Sequence, residues 1–82
     1  MKMKKYFKNV KSYEDLKNQY KKLLKENHPD NGGDVEVMKE INIQYDSLFT
    51  IWKNKKEVET GEEIKETADS TRTEFYTSFG WE

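Results

Sequence analysis

Eighty-two residues make one small domain, with no room for a second core. With 33% hydrophobic and 38% charged residues, the chain lies on the polar side of globular composition, which points to a small core or to a folded part joined to a polar tail. It contains no cysteine, which removes disulfides and thiolate metal ligands; no apolar run approaches membrane-spanning length, and the basic N-terminus lacks the apolar segment of a secretory signal, so a cytoplasmic address is the expectation.

The net charge of −1 hides a split. From Met1 to Lys25 nine lysines stand against Glu14 and Asp15, whereas Glu26 to Glu82 holds six basic and fourteen acidic residues. A basic working face on an acidic remainder is the pattern expected of a chain that meets an acidic protein or a nucleic acid.

In chain order, Tyr6, Phe7 and Val10 form a short helical turn or an irregular apolar flap. Ser12 followed by Asp15 has the shape of a helix start, because a hydroxyl can cap a free amide and an acid suits the first turn. Tyr13, Leu16, Tyr20, Leu23 and Leu24 then recur at helical spacing within about 100° of arc. Asn18, Lys21, Lys22 and Lys25 fall on the opposite side. This helix, 12–27, ends by Asn27, since the residue before Pro29 is pushed out of the α region.

Residues 28–33 form the connection, with Asn31, Gly32 and Gly33 free to adopt positive φ. Asp34 is the N-cap of a second helix over 34–53, with Val35, Met38, Ile41, Tyr45, Leu48, Phe49 and Trp52 on one face and Ile43 exposed on the other. A six-residue link favours two antiparallel neighbours packed stripe against stripe. After Trp52 the chain turns polar and acidic. Val58, Ile64 and Ala68 are too sparse to anchor a core, so 55–82 reads as a tail or frayed helix. Its end, FYTSFGWE, is unusually aromatic, and the stop after Gly-Trp-Glu is read as the front part of a longer protein.

Little here supports catalysis. The single histidine, His28, has no nucleophile placed near it, and no serine sits in a partner motif. His28 with Asp30 and Asp34 is a thin set for a metal, which needs several ligands on a preformed frame. NGGD lacks the Lys-Ser/Thr that completes a phosphate loop. No cofactor, metal or small-molecule substrate is therefore expected, and the chain is read as a non-enzyme.

Each conspicuous residue has an ordinary explanation taken alone; the assembly does not. YKKLLKENHPD followed by GGDVEVMKEINIQYDSL resembles the J-domain of DnaJ-like cochaperones, from about Ser12 to Phe49, with the compact HPDNGGD turn similar to that of viral and phage-type members as much as to that of housekeeping ones. The resemblance implies an all-α fold: an antiparallel helical hairpin over 1–54 with a short or irregular first helix, followed by the polar tail. It also implies docking on a DnaK-type chaperone and stimulation of that partner's ATP hydrolysis. His28, Pro29 and Asp30 would contact the partner's nucleotide domain and linker. Tyr20, Lys21, Lys22 and Lys25 would form the face that meets an acidic surface.

The chain also departs from the family. Tyr6, Phe7 and Val10 stand about five residues too close to replace the usual first helix, Asn27 stands where an aromatic is common, and the acidic tail replaces a short basic fourth helix. No Gly/Phe-rich linker or zinc-binding region is present, so no client-delivery domain is visible. Two further readings are a J-like assembly module without stimulation and a weak electrostatic nucleic-acid binder. The second has lysines but no interleaved arginines or exposed aromatics in that half to read bases.

Overall fold

Helix α1 (Tyr13–Asn27) begins where the Ser12 Oγ accepts the Asp15 amide at 2.9 Å, with Ser12 itself extended. A 3₁₀ turn (Pro29–Asn31) follows, then α2 (Val35–Thr60) and α3 (Ala68–Ser78). The structure is a computed structural model that describes residues 4–80; among them there is no strand, and no helix is long and apolar enough to cross a membrane.

The hairpin is antiparallel. Tyr13 at the start of α1 meets Phe49 edge-on at 5.4 Å, while Tyr20, two turns further on, meets Asn42 and Tyr45, earlier in α2. Tyr13, Leu16, Tyr20 and Leu24 from α1 pack against Met38, Ile41, Tyr45 and Phe49 from α2. This is the expected stripe-on-stripe arrangement, and hiding these side chains from water is its main driving force. Ile43 is exposed as expected. Val35 is a correction: it is half exposed, because it is the first helical residue and lies beyond the end of the α1 stripe.

The segment before α1 is an irregular strap rather than a helix. Two glutamines and Asp15 bind its backbone, as polar groups near a core require. Gln44 Oε1 accepts the Tyr6 amide at 3.0 Å, and its Nε2 donates to the Lys4 carbonyl. Gln19 Oε1 accepts the Lys8 amide at 3.1 Å, and its Nε2 donates to the Lys8 carbonyl at 2.9 Å. Held this way, the strap inserts Phe7 into the core beside Tyr20 and Tyr45.

Residues 55–80 correct the expectation of a polar tail. Helix α2 runs on to Thr60 and stops at Gly61, whose left-handed φ of 73° closes the helix end. The chain then folds back. Tyr13 Oη donates to Glu66, and Lys17 Nζ donates to the same carboxylate at 2.7 Å. Thr67 and Ser70 cap each other's amides to start α3. Only Thr71 and Phe75 of α3 are buried, with Thr71 Oγ1 hydrogen bonded to Tyr45 Oη. Arg72 reaches Tyr20 Oη through Nε at 2.7 Å and the Asp46 carboxylate through its terminal nitrogen. Polar side chains do much of the anchoring, which is why an apolar-periodicity reading passes over this element.

Candidate functional site

The loop between α1 and α2 is stitched to both helices. His28 is extended (φ −67°, ψ 139°) because Pro29 follows it, and its amide still closes the last turn of α1 on the Leu24 carbonyl at 3.0 Å. Its own carbonyl accepts two amides, from Asn31 at 2.8 Å and Gly33 at 3.0 Å. Asn31 Nδ2 returns to the Lys25 carbonyl. Gly32 adopts φ 82°, a left-handed conformation that favours glycine. Gly33 is needed for a different reason: a Cβ there would stand 1.8 Å from the Asn27 carbonyl oxygen. Asp34 then caps α2 by accepting the Glu36 amide at 2.8 Å. The His-Pro-Asp tripeptide is thus fixed at both ends by backbone hydrogen bonds.

Within it, the side chains differ in exposure, although His28 Nδ1 lies 3.8 Å from the Asp30 carboxylate. His28 Nδ1 accepts the Asp30 amide at 3.2 Å, so in the neutral ring the proton sits on Nε2. Asp30 turns its carboxylate to solvent, with the side chain 68% exposed, and Pro29 is exposed beside it. His28 is not a bare tip: its side chain is only 17% exposed, and its ring makes a T-shaped contact with Tyr76, the ring centres 5.4 Å apart.

Lys21, Lys22 and Lys25 are exposed along α1. Lys22 and Lys25 have no ion-pair partner among the described residues. Lys21 Nζ stands 5.9 Å from the ring centres of both Phe75 and Phe79, within cation–π reach. A shallow groove of about 280 Å³ runs between Asn18, the three lysines and Phe79. Lys22 and Lys25 thus line an exposed groove, Pro29 and Asp30 are exposed in the turn that follows α1, and His28 and Lys21 stand against Tyr76 and Phe79.

Tyr20 does not belong to that surface. It is fully buried, its ring stacked on Tyr45 and its hydroxyl held between Asn42 Oδ1 at 2.6 Å and Arg72 Nε at 2.7 Å. Its expected role as a contact residue is corrected to that of a core support. The reason is geometric, since Tyr20 lies on the same arc as Leu16 and Leu24. Burial pushes its phenol pKa up. Burial works against the charge on Arg72, but the Tyr20 hydroxyl and the Asp46 carboxylate outweigh it and hold the guanidinium pKa above its ordinary value.

Sequence reasoning missed Arg72, Tyr76 and Phe79. The usable signal was the spacing Ala68, Thr71, Phe75, Phe79, a helical face with a threonine in it, preceded by a Thr-x-x-Ser cap. No group of three or more His, Asp or Glu side chains among the described residues is arranged to hold a metal ion. The arrangement consists of one hydrogen-bonded turn, three exposed lysines and two aromatic rings beside them. No family model, curated protein or solved structure matches the chain.

Proposed function

We propose that the chain is a J-domain-like module that docks on a DnaK-type chaperone in the cytoplasm and stimulates its ATP hydrolysis. The observation that carries this reading is the His28-Pro29-Asp30 turn, fixed by backbone hydrogen bonds at the end of a helix whose Lys22 and Lys25 lack carboxylate partners. A turn already locked loses little conformational entropy on docking. Unpaired lysines steer an acidic partner and raise the association rate. Asp30 offers an exposed acceptor and His28 a ring Nε2 donor. Stimulation requires that these groups bind one conformation of the partner better than another.

Single-turnover ATP hydrolysis by a DnaK-type chaperone, with the native chain and with His28→Gln, tests the reading. Stimulation by the native chain and its loss in the variant is the expected result. No stimulation by either folded protein sinks it and leaves the assembly-module reading. One observation favours that second reading: the His28 side chain is mostly covered in the isolated chain.

A further inference from the structure

The last turn of α3 lies across the surface assigned above to the partner. Tyr76 and His28 meet with their rings steeply inclined, and Lys21 Nζ stands over the Phe79 ring, which lines the groove beside Lys22 and Lys25. Two aromatic rings three residues apart thus stand against His28, the residue that ends α1, and the exposed Lys21. The rest of α3 buries only Thr71 and Phe75, with Ala68 partly buried against the core and Arg72 tied to Tyr20 and Asp46, and residues 61–67 join it to α2. The α1–α2 core has its own contacts and Phe7, so displacing the last turn of α3 leaves most of it buried. Elements with few buried contacts open at a free energy below that of global unfolding.

We propose that Tyr76 and Phe79 are an internal occupant of the docking surface, so that α3 and the chaperone compete for His28 and Lys21. This rests on the chaperone reading. The partner segment that fits would pair acidic side chains, for the free lysines, with an apolar or aromatic side chain that takes the place of Phe79. Because the occupant is tethered, it acts at high effective concentration, and the apparent affinity for the partner is lowered by the fraction of molecules that are closed.

His28 is the only histidine, so its carbethoxylation by diethyl pyrocarbonate reports one site. In the full chain, Tyr76→Ser with Phe79→Ser should speed that reaction about fivefold, as a side chain 17% exposed becomes open to reagent. The same variant should bind an ATP-loaded DnaK-type chaperone several-fold more tightly. An unchanged carbethoxylation rate overturns the proposal. Faster carbethoxylation with unchanged chaperone affinity, where His28→Gln still abolishes stimulation, overturns the competition but leaves the function standing. If His28 is released and no form binds the chaperone, the function falls and the competition with it. Should the variant fail to fold, hydrogen exchange of the native chain decides. Amides of α3 should lose protection on adding the chaperone while those of α1 gain it, and gained protection in α3 overturns the proposal.

Discussion

The rings of Tyr20 and Tyr45 lie face to face in the middle of the hairpin, their planes 5° apart and their centres 3.7 Å apart. Both hydroxyls leave the stack toward α3, one to Arg72 and the other to Thr71. The pair therefore joins two jobs: its rings close the α1–α2 core and its hydroxyls dock the third helix. Burial raises the pKa of both phenols, that of Tyr45 to about 12, so both stay neutral hydroxyls at any ordinary pH.

Tyr20→Ala should cost about 3–5 kcal/mol by leaving a cavity between Phe7, Tyr45 and Phe75. Tyr20→Phe keeps the stack but leaves Arg72 and Asn42 without their shared hydroxyl, and should cost about 1–2 kcal/mol. Urea denaturation of both variants checks this. If Tyr20→Phe melts like the native chain, the hydroxyl network does not hold α3.

How much was legible in the sequence follows from what holds each part. The α1–α2 hairpin rests on large apolar side chains at helical spacing, from Leu16 to Phe49, and periodicity finds those. The turn was legible because Pro29, Gly32 and Gly33 each answer a backbone constraint. Helix α3 was not, because its anchors are Thr71, Arg72 and Phe75, two of them polar, and the hairpin partners of those two lie 26 to 52 positions away. The same omission put His28 on an open surface, since nothing in the local sequence signals that Tyr76 meets it; Tyr20 was legible as core from its arc, and only the resemblance placed it on the partner face.

The two loop glycines should differ in their tolerance of alanine. At Gly32 the left-handed φ of 82° meets open space, so Gly32→Ala should cost about 1–2 kcal/mol from the backbone conformation alone. At Gly33 the new Cβ would collide with the Asn27 carbonyl. Gly33→Ala must therefore move the backbone that carries the His28 hydrogen bonds, at about 1–3 kcal/mol or more. Melting temperatures rank the two variants, and the shift of the His28 ring resonance separates them: large for Gly33→Ala, small for Gly32→Ala. Equal effects at both positions would contradict the close approach at Gly33.

Acid should loosen the link between α2 and α3 before it unfolds the hairpin. Burial works to raise the Glu66 pKa, but hydrogen bonds from Lys17 and Tyr13 outweigh it and hold the carboxyl below its ordinary 4.5. A depressed folded-state pKa means that the unfolded chain binds the proton first. The contribution of Glu66 is therefore present above the ordinary carboxylate range and is lost as pH falls through the folded value. Amide exchange across α3, followed downward from neutral pH and corrected for the intrinsic rate, should accelerate in that window. Glu66→Gln should exchange faster than the native chain at neutral pH and converge with it in acid. A constant difference at every pH would mean that the carboxylate charge does not hold this link.

The basic face should act on rate more than on stability. Lys22 and Lys25 are exposed and carry no ion pair among the described residues, so Lys22→Glu with Lys25→Glu should leave helicity and melting close to native. Reversing two charges should slow association with a DnaK-type chaperone by about tenfold or more at low salt and flatten the dependence of that rate on ionic strength. Stopped-flow association across a salt series measures both. A slowing that persists undiminished at high salt would place these lysines in direct contacts rather than in steering. A variant that associates as fast as the native chain would remove this face from the docking surface, leaving Pro29 and Asp30 to carry it.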